Sequence, residues 1–451
     1  MTGNQEPDAR ARLERIYRAA VAAVEAGPLV RRRLIRGCPV RVRLGPHRHL
    51  RLDAHRVWIV AAGKAAAAMA KEASRVFGSR LAGGVVAAPL LAHGLDTKLC
   101  AFVAGHPLPS RASLAAGRAA WRLLGRARRG DLVLVLLSGG ASSLLVLPAP
   151  GISLSDKVRT GQLLLRAGAT IGEVNAVRKH LSLLKGGGII RRGGGARVLG
   201  LLLSDVIGSS PSVIGSGPAA SDPTTYADAW RVLERYDLLE RIPGRVTRRL
   251  MLGRRGAIAE TLKPGERRVR NLVIGDNRLA LSAAAAEARS LGLRCQILSS
   301  SLRGDTRAAA RWFANRLRRR LRRAGSGFCL LAGGETTVVV RGSGRGGRNQ
   351  EFALALAEEL RGLRAVHCLS AGSDGRDGPT DAAGAFVDGS TFDRAIRRGL
   401  DPRRFLERND SYELFRRLSG LFRPGPTGTN VMDLKIAIVD PASPVRGDGR
   451  S

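Results

Sequence analysis

Five glycine-rich turns hold one lysine, three arginines and several aspartates, and each turn follows an apolar run with the character of a strand. The turns are Gly63-Lys64 after VWIVAA, Ser138-Gly139-Gly140 after DLVLVLL, Ser204-Asp205 after VLGLLL, Gly342 to Arg348 after TTVVVR, and Ser373 to Asp381 after VHCLSAG. Backbone amides at glycine turns and helix starts bind phosphate, cations neutralise it, and carboxylates on rigid loops hold a hard metal ion such as Mg²⁺. In an open α/β sheet, ligands bind beyond the carboxyl ends of the strands, so turns of this kind can converge on one crevice.

Each turn has its own chemistry and its own plainer reading. Lys64 stands between a strand and an alanine-rich helix, where the helix dipole favours an anion; a lysine at a helix start is also common on a surface. In LLSGGASSLL the glycines let the backbone approach a ligand, or simply make a tight turn capped by Ser142 or Ser143. Asp205 at a strand end suits magnesium binding or proton acceptance, or else an Asx turn. The segment VNAVRKHLSLLKGGG places Asn175, Arg178, Lys179, Ser182 and Lys185 on a helix, with Arg178, Ser182 and Lys185 spaced to share a face.

Gly342-x-Gly344-x-x-Gly347 formally matches the dinucleotide fingerprint between a strand and a helix. Arg345 and Arg348 stand in and beside it, and about 20 residues on, where that motif requires an acid, the chain has His367-Cys368. Arginines there suit charge developing on a phosphoryl group better than they suit hydride transfer. Asp374, Asp377 and Asp381 fall in a Gly/Pro loop, a possible magnesium site without EF-hand spacing or an ordinary Asx-rich turn. The G-x-x-x-x-G-K-S/T loop, the protein-kinase signatures and H-E-x-x-H are absent, so any ATP site is of another design.

The elements that must carry these turns read as α/β. From Val57 onward, β-branched or leucine-rich runs alternate with alanine- and leucine-rich helical stretches, the pattern of βαβ units around a mostly parallel sheet. A first helix is capped by Asp8, keeps helical period through Leu13, Ile16, Tyr17, Ala20, Val21 and Val24, and stops at Gly27; it is a packing element. A helix from Ile171 to Leu184 opens with Thr170 and Glu173 at capping-box spacing. At 451 residues the expectation is two domains. The polar segment 254–268 is the expected linker between an N-terminal domain, 1–253, and a C-terminal one, 269–451.

Composition narrows the partners. Net charge is +38, but only eight residues are lysine, and the arginines spread over helix faces instead of forming a stripe. A codon bias toward G and C would explain that spread more simply than a nucleic-acid partner, and no specific nucleic-acid contact is expected, the Arg316–Arg323 run included. No apolar run is long enough to span a bilayer and the first residues lack a signal-peptide core, so a cytoplasmic, non-membrane protein is expected. The five cysteines, 38, 100, 295, 329 and 368, are far apart and read as reduced and mostly buried. Oligomeric state is left open.

Taken together, GKAAAAMA, GHPLPS, SGGASSLL, VNAVRKHLSLLKGGG, SDVIGSSPSVIGSGP, KPGERRVRNLVIGDN, GGETTVVVRGSGRGGRNQEFALA, AGSDGRDGPTDAAGA and PTGTNVMDL resemble, in order over roughly residues 10–440, the class II glycerate 2-kinases with a C-terminal MOFRL domain. The resemblance implies two α/β domains, the first Rossmann-like, with the site in the cleft between them. It also implies transfer of the γ-phosphoryl of ATP to the 2-hydroxyl of D-glycerate with a divalent metal. On that reading Lys64, Arg345, Arg348 and Asp205 are catalytic. Ser138, Gly139, Gly140, Gly342, Gly344, Gly347, Asn349 and Lys185 bind nucleotide phosphates, and Arg178 and Lys179 bind substrate. Asp205, Asp374, Asp377 and Asp381 hold Mg²⁺. Ser209 and Ser210 stand where family members usually carry acids. Because relatives also bear the label hydroxypyruvate reductase, an NAD(P)H-dependent reductase is the alternative reading.

Overall fold

A computed structural model describes residues 5–37, 39–322, 327–363 and 365–440. The chain divides into two compact units, residues 26–275 and residues 1–25 with 276–451. In the first unit, β1 (Leu34–Ile35), β2 (Val40–Arg43) and β3 (His49–Leu52) form a small antiparallel sheet. The main sheet holds β4 (Val57–Ala62), β5 (Leu81–Ala88), β6 (Leu99–Val103), β7 (Leu132–Leu137), β8 (Arg197–Leu203) and β9 (Val269–Gly275). All six are parallel, in the order β6-β5-β4-β7-β8-β9. The order therefore reverses between β4 and β7, the doubly wound arrangement. β4 and β7 are buried at every residue, which is why they read as unbroken apolar runs instead of alternating ones.

Helices beside this sheet create the ground for the site. Leu154–Arg166, Ile171–His180, Tyr226–Arg235 and Gly244–Arg254 share a separate apolar cluster that includes Leu164, Val174, Val177, Leu233, Val246 and Leu250. The first three of these helices start with complete capping boxes at Ser153, Thr170 and Thr225, which satisfy amides that would otherwise lack partners.

The second unit is a mixed sheet of β10 (Arg294–Leu302), β11 (Phe328–Gly334), β12 (Val366–Gly372), β13 (Gly384–Asp388), β14 (Leu421–Phe422) and β15 (Asp433–Val439). Its order is β10-β11-β15-β12-β13-β14, with only β10 and β11 parallel. The helix Arg348–Glu359 buries Phe352, Leu354 and Leu356 in its core. The N-terminal helix Gln5–Ala23 belongs here too: Tyr17 Oη donates to Gly372 O at 2.8 Å and Arg12 pairs with Asp440 at 2.7 Å.

Several local expectations change. The unit breaks fall at 25/26 and 275/276, not within 254–268, because β9 pairs with β8. The polar segment is tied into the first unit: Glu260 accepts from Tyr226 N at 2.8 Å and Thr261 donates to Asp222 at 3.0 Å. Asp8 lies inside the first helix, not at its cap, and Gly27 lies inside a second helix, Ala26–Arg33. TTVVVR forms no strand; Val339 and Val340 are exposed, since the sheet receives β15 beside β11 instead. Cys329 and Cys368 are buried, Cys100 is exposed, and Cys38 lies outside the described residues.

Candidate functional site

In the 26–275 unit the turns after β4 and β7 meet at the reversal of strand order. Lys64 N donates to Gly139 O at 2.8 Å and Ala65 N to Ser138 Oγ at 2.9 Å. Ser138 and Gly139 are thus spent on holding two strand ends together, and Lys64 stands there half-buried. Gly140, next along, has φ +86°, and a Cβ on it would lie 2.7 Å from His106 Cδ2, so glycine is required.

Beyond that turn opens a cavity of about 390 Å³ whose walls include His106, Gly140, Ser142, Ser143, Lys157, Arg178, Lys185, Asp205 and Ser216. Three of these are cations close enough to feel one another. Lys157 Nζ donates to Arg178 O at 3.0 Å, and the buried Lys185 Nζ donates to Ala141 O at 3.0 Å. Burial, then the charge of Arg178, pushes Lys157 down to about 7. Burial, then Lys157 and Arg178, pushes Lys185 well below the ordinary lysine range. Burial lowers Arg178 as well. Like charges held together in a partly desolvated hollow cost free energy that an anionic ligand would return. Asp205, half-buried beyond β8, is the one acid in this wall among the described residues.

Arg178 and Lys185 share this cavity, although the helix stops at His180 and so no common helical face joins them. A loop brings Lys185 back beside it. Lys179 points elsewhere and forms a buried ion pair with Asp222 at 3.1 Å, which makes it a structural partner instead of a substrate ligand. Lys157 and His106 escaped the reading of the sequence. The available signal for Lys157 was its type, a lysine on a helix of a chain that elsewhere uses arginine.

In the second unit the fingerprint loop spends its amides internally. Arg341 N and Gly342 N donate to Asn409 Oδ1 at 2.7 and 3.0 Å, Gly344 N to Arg408 O at 2.9 Å, and Arg345 N to Asp410 Oδ1 at 2.9 Å. The start of the helix Arg348–Glu359 is occupied as well. The buried Asp377 carboxylate accepts from Asn349 N at 3.0 Å and Gln350 N at 2.9 Å. A Cβ on Gly347 would lie 2.3 Å from Asp377 Cγ, so this glycine exists to admit the capping carboxylate. The position where a pyrophosphate would sit in a dinucleotide fold is filled by Asp377, and no strand precedes the loop. The fingerprint is therefore formal, and Gly342, Gly344 and Gly347 are packing residues.

The other predicted groups there are also engaged. Arg348 forks onto the buried Asp433 at 2.7 and 3.0 Å and reaches Glu335 at 2.7 Å. Asn349 donates to Asp377 and Asp433 and accepts from Lys435 Nζ and Ser370 Oγ. Asp433, within the PTGTNVMDL segment, and Lys435, just after it at the start of β15, were not read as site residues. Asp381 is exposed and accepts from Tyr412 Oη at 2.7 Å and Arg423 Nε at 3.0 Å; Asp374 accepts from Arg376 N at 3.1 Å. Asp377 and Asp381 thus serve separate local purposes. Among the described residues no group of three or more His, Cys, Asp or Glu side chains is placed to hold a metal ion. Arg345 alone keeps an exposed guanidinium, stacked 4.5 Å over the Tyr412 ring.

Residues 12–251 match the family described as Domain of unknown function (DUF4147), and residues 328–433 match the MOFRL family. The glycerate 2-kinase of Pyrococcus horikoshii is 40% identical over 390 residues, spanning 85% of this chain and 87% of its own length. The chain belongs to the glycerate kinase family. A family member from Agrobacterium vitis named putative hydroxypyruvate reductase is 37% identical over 445 residues, 97% of this chain and 96% of its own. The crystal structure of glycerate kinase from Thermotoga maritima superimposes with a TM-score of 0.82 at 37% identity, covering 96% of this chain and 100% of that one. The doubly wound sheet and the mixed MOFRL sheet are thus the family's two α/β halves. Among the described residues no helix is long and apolar enough to cross a membrane.

Proposed function

We propose that this protein transfers the γ-phosphoryl group of ATP to the 2-hydroxyl of D-glycerate, yielding 2-phospho-D-glycerate and ADP. The observation that supports this most directly is the cavity at the strand-order reversal, where Lys157, Arg178 and Lys185 line one hollow with a single acid among the described residues, Asp205. A carboxylate substrate and a phosphate chain both carry the charge those cations lack, and the Arg178 guanidinium can grip a carboxylate through two donors. Lys64, fixed at the neighbouring strand end through its backbone, is assigned to the transferring phosphoryl group. Arg345, in the other unit, is exposed and on no carboxylate among the described residues, and its charge is proposed to serve an anionic ligand there.

The donor set fits magnesium in the manner usual for nucleotide enzymes, where one or two carboxylates and the substrate phosphates complete the shell. Asp205 is the residue that would hold it. Bound there, the ion would offset negative charge on the phosphates.

The test is a coupled assay with purified protein, ATP, Mg²⁺ and D-glycerate, the product being offered to enolase, which accepts the 2-phosphate and not the 3-phosphate. ATP-dependent formation of the enolase substrate is expected. NADH or NADPH consumption on adding hydroxypyruvate without ATP, with no phosphorylation of glycerate, would overturn the proposal in favour of the reductase.

A further inference from the structure

A second cavity in the 26–275 unit, of about 410 Å³, has walls that include Lys179, His180, Lys185, Arg191, Arg192 and Arg249, and among the described residues no Asp or Glu lines it. It lies in the size range of small-ligand sites. Three guanidiniums are fixed around it by neutral acceptors. Arg191 Nη1 donates to Glu260 O at 2.7 Å, and Arg192 Nε donates to Trp121 O at 3.2 Å. Arg249 Nε donates to His180 O at 3.0 Å and its Nη2 to Tyr226 Oη at 3.0 Å. The Arg192 guanidinium also lies 4.7 Å over the Trp121 ring. None of the three pairs with a carboxylate among the described residues. Each guanidinium has five N–H donors, so these bonds orient the group and leave donors and charge unspent.

The carboxylates nearby are already committed. Asp222 serves Lys179 at 3.1 Å together with Thr224 and Thr261. Glu260 serves His180 Nε2 and Lys263, each at 3.1 Å, and the Tyr226 amide at 2.8 Å. His180 Nδ1 in turn faces Ala176 O at 2.7 Å. The hollow is thus lined by cations, three of them guanidiniums oriented by neutral acceptors, with no carboxylate in its wall among the described residues.

We infer that this second cavity is a binding site for a small, multiply charged organic phosphate, separate from the cavity at the strand-order reversal. Lys185 lies in the wall of both, and Arg178 and Lys179 leave one helix toward different cavities. A ligand in one is therefore felt electrostatically in the other. The site goes beyond the kinase reading and stands without it.

Calorimetric titration of the full-length protein with inorganic pyrophosphate, in the absence of metal, tests the inference. The wild type is expected to bind two equivalents per chain. Arg191→Gln/Arg192→Gln, which alters two exposed residues, is expected to weaken one of them by about tenfold or more. Arg249→Lys, which keeps the charge and loses the fork, is expected to weaken the same one. Lys157→Met/Arg178→Met is expected to lose the other equivalent and keep this one. Unchanged titrations in both arginine variants overturn the proposal.

Discussion

Lys157 offers the sharpest test, because its charge is costly in the empty cavity and useful in the filled one. Its titration falls from 10.5 to about 7, through burial first and the Arg178 charge second. At about 1.4 kcal/mol per pH unit, holding the free enzyme's Lys157 charged at low pH costs on the order of 5 kcal/mol. An anionic ligand favours the charged form, so glycerate binding takes up a proton, and KM is expected to rise as pH climbs above about 7, by up to about tenfold per unit. Lys157→Met keeps the stem and removes the charge. It should lose that pH limb and a charge-assisted contact of about 1.5–3 kcal/mol, lowering kcat/KM about tenfold to a hundredfold.

Stability should move the other way. Unfolded Lys157 stays protonated up to about 10.5, whereas the folded group is neutral above about 7. The unfolded state therefore holds more protons between those values, and wild-type stability rises with pH across that window. The ligand-free Lys157→Met protein should accordingly melt higher than the wild type below pH 7, with the gap closing toward pH 10.5. Kinetics of the forward reaction and thermal melts over pH 6–10 read both effects. A variant with wild-type kcat/KM and an unchanged pH profile would refute the assignment of Lys157 to the anion site.

Other expectations follow from neighbouring contacts. Lys64→Ala should lower kcat by about 10³, the scale of known phosphoryl clamps, without a change in melting temperature; full turnover would remove Lys64 from the mechanism. Asp205→Asn should raise the magnesium concentration needed for half-maximal activity, and an unchanged requirement would clear Asp205 of metal binding. Asp377→Ala strips the cap from the helix Arg348–Glu359 and should cost about 1–2 kcal/mol in denaturant melts while the magnesium requirement stays put. Lys179→Met leaves Asp222 buried and unpaired, for a loss of about 3–5 kcal/mol; joint replacement with Asp222→Leu should recover part of it, and no recovery would contradict the ion-pair assignment.

The residues around Val57–Ala62 and Leu132–Leu137 announced their strands because a parallel strand covered on both faces must be apolar throughout, a local property that composition records. The capping box at Thr170 was equally legible, since its partners stand three residues apart. The turns at Lys64, Ser138 and Asp205 were visible for the same reason. What the chain alone withheld was partnership at long range. Asp377 looked like a metal ligand until a helix start 28 residues away claimed it, and Lys179 looked like a substrate contact until Asp222 took it. Lys157 looked like nothing until folding set it beside Arg178 and Lys185. A side chain's type fixes which bonds it is able to make, whereas burial and the groups brought near it decide which bonds it does make; the first is written residue by residue, and the second exists only once the backbone has closed on itself.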